Sequence, residues 1–171
     1  TIMGPEPDPD ARAVAMADFG VEAKPIEELF QLATGSFDAI TMWHVLEHVH
    51  QLDAYMQQLK ALLKVEGKLF IAVPNYTSLD ARVFGPKWAA YDVPRHLYHF
   101  SPASMRHLLS RHGLALVGTK RMPFDSSYVA MLSERNTSGS LIRGVWVGFR
   151  SWVSAFFAKE RCSSLIYIIQ K

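Results

Sequence analysis

Two short stretches concentrate the side chains best suited to chemistry: His44-Val45-Leu46-Glu47-His48, and further along Arg95-His96-Leu97-Tyr98-His99. Histidine titrates near neutral pH, so His48, His96 and His99 are candidates for moving a proton. Arg95 offers a planar guanidinium that can clamp a carboxylate or phosphate. The competing reading is that these polar tips only tie their loop down through hydrogen bonds. The first stretch also spells H-x-x-E-H. On a helix that spacing sets His44 and His48 one turn apart to hold zinc, with Glu47 activating a water, which would make a zinc-dependent hydrolase. It demands a helix through His44 and a third ligand that no downstream helix obviously supplies. Otherwise Glu47 is expected to cap or pair locally. His107 and His112 read as solvated or structural.

The elements that must position these groups follow from periodicity. Phe37–Trp43 is a compact apolar run bounded by Gly35 and Ser36, so a strand is expected to stop just before His44. Asp53 is expected to cap the following helix, whose Tyr55, Met56, Leu59, Leu62 and Leu63 recur at helical spacing until Gly67. Lys68–Val73 reads as a doubly covered strand broken by Pro74. Ser101-Pro102 opens a helix that runs to His112 before Gly113. Leu114–Lys120 and Ser163–Gln170 read as further strands. Upstream, Asp8–Asp18 reads as a helix stopped by Gly20, preceded by a strand ending near Glu6. Val21–Ala23 reads as a short strand and Ile26–Leu32 as a short helix. Strands alternating with helices imply an α/β sandwich with a mostly parallel sheet.

The stretch 125–160 reads as an insertion into one domain covering 1–171. Its apolar run, Leu141–Phe157, is too short and carries Arg143 and Arg150, so no membrane span is expected. Trp146, Phe149, Val153 and Phe156 share a helical face. That face is expected to pack against the sheet or a partner subunit, which leaves a homo-oligomer open; the alternative is a lid over an apolar substrate. A net charge of +2 with scattered Lys and Arg argues against a nucleic-acid partner. The single cysteine, Cys162, excludes an internal disulfide and suits a reducing cytoplasm. The opening TIMGPEPDPD lacks the basic start and apolar core of a signal peptide, and reads as if cut from something longer.

Three separated segments, GPEPDPDARAVA, FDAITMWHVLEHV and GKLFIAVPN, resemble the signature of class I S-adenosylmethionine-dependent methyltransferases of the small-molecule type. That group includes the ubiquinone-biosynthesis O-methyltransferases. The likeness continues through DVPRHLYHFSPASMRHLLSRHGL. Order and spacing carry it, since each segment alone recurs in many α/β proteins. The resemblance implies a Rossmann-like three-layer α/β sandwich with an antiparallel C-terminal strand, S-adenosyl-L-methionine as cofactor and a small-molecule methyl acceptor. It places Glu6, Trp43 and His44 at the cofactor, with Glu6 accepting from the ribose hydroxyls and Trp43 either stacking or filling core. It places Asn75, Arg95 and Tyr98 toward the acceptor. His48, His96 and His99 are then the candidate bases, needed only where the nucleophile must lose a proton. No metal is expected.

The chain departs from the pattern in two places. The family's glycine-rich turn after its first strand is absent, since Gly4 and Gly20 make no G-x-G; a segment ahead of Thr1 is expected to supply it. Lys24 and Pro25 stand where the family often has an acidic residue for adenine. The other alternative is a non-catalytic methyltransferase-like module that binds a partner through the face from Trp146 to Phe157.

Overall fold

The computed structural model describes residues 3–122, 124–137 and 139–171. Its strands are β1 (Gly4–Pro5), β2 (Ala23–Lys24), β3 (Phe37–Trp43), β4 (Leu63–Pro74), β5 (Ala115–Arg121) and β6 (Ser164–Gln170). The α-helices are α1 (Pro9–Phe19), α2 (Leu52–Leu62), α3 (Leu79–Phe84), α4 (Pro102–Arg111), α5 (Asp125–Thr137) and α6 (Leu141–Phe157). The four long strands form one sheet in the order β3-β4-β6-β5, in which β3 and β4 run parallel and β6 runs antiparallel to both of its neighbours. β1 and β2 form a separate parallel pair. The α/β class and the antiparallel last strand agree with the sequence reading.

Alternation in the strands sets the core. Leu69, Ile71 and Val73 of β4 and Leu165, Tyr167 and Ile169 of β6 face one way, and they cluster with Met56 and Leu59 of α2 and Met105 and Leu109 of α4. The opposite face is less covered: Phe70, Ile166 and Ile168 are only partly buried, and Val117 is exposed.

Local signals explain most of the boundaries. The Asp8 carboxylate accepts from the Asp10 and Ala11 amides at the head of α1, and Gly20 ends that helix in the left-handed conformation. Ser101 and Ser104 form a reciprocal capping box on α4, with Pro102 in the first turn. Two expectations fail. Asp53 does not cap α2; Gln51 occupies that place without a side-chain bond, and Asp53 instead pairs with His112 and Arg111. Gly67 does not end α2 either. The helix stops at Leu62 and the chain enters β4 directly, with Gly67 inside the strand where pairing with β3 skips register between Phe37 and Ala39. A Cβ on Gly67 would lie 2.9 Å from the Phe37 carbonyl oxygen, so the bulge admits only glycine. The expected strand at Val21–Ala23 lies at Ala23–Lys24, and the short helix is a 3-10 helix over Ile26–Gln31.

Candidate functional site

The corner after β3 is built around His44. Its amide donates to the Ala72 carbonyl, which extends the β3–β4 pairing by one bond, and its own φ of 53° then turns the chain sharply. Left-handed backbone is costly for a residue with a Cβ, so something must hold the histidine there. Its ring does this. Nδ1 donates to Glu47 Oε1 at 3.2 Å and Nε2 donates to Asp125 Oδ2 at 3.1 Å. Asp125 and Glu47 together, Asp125 contributing more, raise the His44 pKa to about 9 against the opposing effect of burial. Burial pushes the Asp125 carboxyl up, but hydrogen bonds from His44 and Ser164, with the charge on His44, leave it below its ordinary value.

This geometry removes the zinc-hydrolase alternative. No helix passes through His44; the turn behind it is a 3-10 helix over Leu46–His48 only. Both ring nitrogens of His44 are taken up by carboxylates, so it has no lone pair aimed at a shared metal with His48.

Glu47 is fully buried and anchors the second stretch. Its carbonyl accepts from the amides of Leu97 and Tyr98, at 2.8 and 3.3 Å, which lays the Arg95–His99 loop across the turn. His48 Nδ1 donates to the Arg95 carbonyl at 3.1 Å, and His96 Nδ1 donates to the Ala90 carbonyl at 2.9 Å. The two imidazoles meet edge to face, 4.7 Å between centroids. Desolvation lowers the His96 pKa, partly opposed by its bond to Ala90. His99 lies exposed at the far side of the loop, with Nε2 on the Tyr91 carbonyl at 2.9 Å and its ring edge-on to Tyr91. Arg95 points outward and pairs with Asp92 at 2.9 Å. Tyr98 packs against the core and directs its hydroxyl toward the His50 carbonyl at 3.4 Å. The structure therefore brings His44, Glu47, His48 and His96 together and sets Arg95, Tyr98 and His99 around them.

Trp43 and Asn75 lie at the carboxyl ends of neighbouring parallel strands, the rim where α/β sheets bind ligands. Trp43 is 51% exposed, which dismisses core filling and leaves an indole face at that rim. Asn75 is different. It is buried, its Nδ2 donates to the carbonyls of Glu160 and Cys162, and its Oδ1 accepts from the amide and hydroxyl of Thr77. With its donors and acceptor spent, Asn75 is a strut between the end of β4 and the approach to β6, and it offers no atom to an acceptor molecule. Glu6 sits half-buried at the end of β1, its Oε1 accepting from the Asp8 amide at 3.0 Å. No strand among the described residues joins its sheet to the other.

The face from Trp146 to Phe156 is left largely open and meets the sheet at Arg121 of β5 beside Phe156. Trp146, Phe149 and Phe156 are exposed, Trp146 stacked on Phe149 and Phe156 edge-on to Trp152, while Gly144, Val147, Gly148, Ser151 and Ala155 make the buried stripe of α6. Phe149, Trp152 and Phe156, with Thr119–Arg121 and Phe124, line an open cavity of about 880 Å³, and the Arg121 guanidinium lies 4.6 Å from the Phe156 ring centroid. No helix among the described residues is long and apolar enough to cross a membrane. Two functional carboxyls escaped the sequence reading: Asp125, 81 residues from the histidine it holds, and Asp80, described below. Nothing local in the sequence signals either.

Comparison with known proteins places this geometry among relatives. A profile of the methyltransferase domain matches residues 3–119. The ubiquinone biosynthesis O-methyltransferase of Xanthomonas axonopodis pv. citri (strain 306) is 32% identical over 114 residues, 63% of this chain and 47% of that protein. The chain thus spans about half the length of that relative. Among solved structures, a SAM dependent methyltransferase from Archaeoglobus fulgidus superposes with a TM-score of 0.60 at 16% identity, covering 99% of this chain and 75% of the other. The cyclase SpnF gives 0.64 at 14% identity, covering 100% and 66%. At such identities the two structures establish the shared fold.

Proposed function

The chain belongs to the methyltransferase-domain family, and we propose that the protein is an S-adenosylmethionine-dependent methyltransferase acting on a small molecule. The observation that carries this reading is the family match over residues 3–119, which takes in Glu6, the Trp43–His48 corner and the Arg95–His99 loop. The name of the Xanthomonas relative and that of the Archaeoglobus structure support the same activity. The cyclase on a similar fold is the reason that the fold alone does not carry it.

The side chains present fit the cofactor. Glu6 is a half-exposed carboxyl at a strand end, suited to a pair of sugar hydroxyls, and Trp43 offers an open indole face at the carboxyl end of β3. His44 would fix the turn behind Trp43. S-adenosylmethionine supplies a methyl group already activated by its sulfonium charge. The chain's own contribution is alignment, exclusion of water and, for an acceptor that must ionise, removal of a proton. His48 and His96 suit the last role because a carbonyl can only accept. Each ring is therefore protonated at Nδ1 and keeps the Nε2 lone pair free. His99, bonded through Nε2, keeps Nδ1 instead. Arg95, exposed beside Asp92, and Tyr98 are the proposed acceptor contacts. The charge of +2 favours a small acceptor over nucleic acid, and a cytoplasmic location accords with the single reduced cysteine.

Titration calorimetry with S-adenosylhomocysteine tests the assignment. The complete protein is expected to bind, and Glu6→Ala to weaken binding roughly 10–100-fold, the worth of hydrogen bonds to a charged group. Unchanged affinity in the variant removes Glu6 from the cofactor; no binding by the complete protein removes the methyltransferase reading.

A further inference from the structure

The helix pair α5–α6 lies beyond residues 3–119, the stretch that the methyltransferase-domain profile matches, and it carries a cavity of its own. Val145, Phe149, Trp152 and Phe156 recur at helical spacing, which sets them in one stripe along α6. At 1.5 Å per residue the stripe is about 16 Å long. Together with Thr119–Arg121 of β5, Phe124 and Ser127 it bounds the open cavity of about 880 Å³. Phe149 and Phe156 are half exposed there, and Phe124 almost wholly so. A contiguous apolar surface of this kind marks a place where something binds.

Charge on the cavity is one-sided. Its charged lining residues are Lys120, Arg121 and Lys159, and no acidic residue lines it among the described residues. The acids nearest in sequence are committed elsewhere, Asp125 to His44 at 3.1 Å and Glu160 to Arg106 at 3.0 Å. Arg121 is held over the Phe156 ring and donates one N–H to the Ala155 carbonyl at 2.9 Å, which leaves the rest of its planar fork for an anion. Lys159 follows the end of α6, so it stands at the same end of the stripe as Arg121. The apolar stripe thus runs away from a cationic end. Two such rims would repel one another, which disfavours a second copy of this chain as the occupant.

We propose that this cavity binds a single-chain aliphatic carboxylate, with the chain laid along Val145–Phe156 and the head group at Arg121 and Lys159. A chain suits the shape, because the stripe is long and one residue row wide, where a single ring would cover only about one turn of helix. A carboxylate suits the head, since a guanidinium can receive both of its oxygens side by side. Covering the exposed rings supplies the driving force. The inference rests on this cavity and not on the methyltransferase reading.

The test is calorimetric titration of the complete protein with octanoate, decanoate and dodecanoate below their micellar concentrations. One ligand per chain is expected, with affinity rising about two- to four-fold for each added methylene. Dodecanol, which has the same chain and no charge, should bind roughly 10-fold more weakly than dodecanoate. Arg121→Gln and Lys159→Gln should each weaken dodecanoate and leave dodecanol unchanged, a contrast that loss of folding would not produce. Phe149→Ala should weaken both ligands, and Ile142→Ser, on α6 outside the cavity, neither. Dodecanoate should also shift the tryptophan emission, and Trp152→Phe should diminish that shift while the heat of binding remains. Equal affinity for dodecanoate and dodecanol, or no saturable binding up to the micellar concentration, overturns the proposal. So does a dimer dispersed by Phe149→Ser, which gives the face to a second copy, or adsorption to phosphatidylglycerol vesicles with no binding of free dodecanoate.

Discussion

Asp80 lies at the head of α3, fully buried, and its carboxyl gathers three donors from three parts of the chain. Trp88 Nε1 and Ser163 Oγ donate to Oδ2 at 2.8 and 2.7 Å, and Ser151 Oγ donates to Oδ1 at 2.8 Å. It thereby ties α3 to the following loop, to α6 and to the entry of β6. Asp80→Ala leaves the indole N–H and two hydroxyls in a dry interior, at about 1–3 kcal/mol each if none recovers a partner. A serine hydroxyl can turn to a nearby carbonyl whereas the indole N–H cannot, so about 3–5 kcal/mol is expected to remain. For a chain of this length each kcal/mol lowers Tm by roughly 2–4 °C, so the variant should melt about 6–20 °C below the parent. Asp80→Asn is the sharper arm. With its carbonyl at the Oδ2 position the amide keeps two acceptor bonds, and its NH₂ meets Ser151, whose hydroxyl reverses to accept. That change should cost only about 1–2 kcal/mol. Thermal unfolding followed by circular dichroism measures both. An Ala variant melting within about 3 °C of the parent, or an Asn variant as damaged as the Ala variant, would refute this account.

At the His44 corner, His44→Ala is expected to cost about 2–4 kcal/mol, since it strands Glu47 while keeping a left-handed backbone, and His44→Gly should recover about 1 kcal/mol of that loss. Denaturant midpoints decide it; an Ala variant at least as stable as the Gly variant would contradict the role given to φ. A Cβ on Gly148 would lie 2.7 Å from Ser127 Cα, so Gly148→Ala should push α5 and α6 apart and lower stability by about 1–3 kcal/mol, read by the same titration. Burial raises the pKa of the Cys162 thiol. Stability that depends on this group is therefore fully present below the ordinary thiol pKa and is lost as pH rises through the folded value. Iodoacetamide should modify Cys162 at mildly alkaline pH only when denaturant unfolds the chain, and labelling of the native protein at the denatured rate would contradict its burial.

Much of the fold was legible because period and punctuation agreed. Phe37–Trp43 is bounded by turn residues and forms β3 as read; Ser101 and Pro102 announce α4, and Ser104 completes its cap. The reading lapsed where a distant strand outbid local pattern. The apolar spacing of Leu59, Leu62 and Leu63 runs on toward Gly67, but pairing between Leu63 and Phe37 ends the helix four residues before that glycine. In α6, hydrophobicity pointed inward the wrong way. Ranking by apolar character puts Trp146 and Phe149 inside, whereas the close approach of α5 requires Gly144 and Gly148, and Ser151 and Ala155 continue the buried stripe toward Asp80 and the main core. The spacing of those small residues was the available signal.

The site was legible in residue type and not in arrangement, and the reason is physical. H-x-x-E-H has the same letters whether His44 lies on a helix or on a left-handed corner, and only the strand before it separates the two. Phe37–Trp43 was enough to predict the break at His44, but not what would hold the broken backbone. That task falls to Asp125, which follows β5; because β6 runs antiparallel to both β4 and β5, β5 runs the same way as β3 and β4 and delivers the head of α5 to their carboxyl rim. A carboxylate recruited through sheet order leaves no trace in local spacing. The same holds for His96, brought near Glu47 and His48 by a loop pinned by backbone amides of Leu97 and Tyr98, bonds that any residue types at those positions could make. Chemistry-bearing side chains can thus be picked out from a sequence one stretch at a time, while their pairing is decided by backbone bonds that the side chains do not encode.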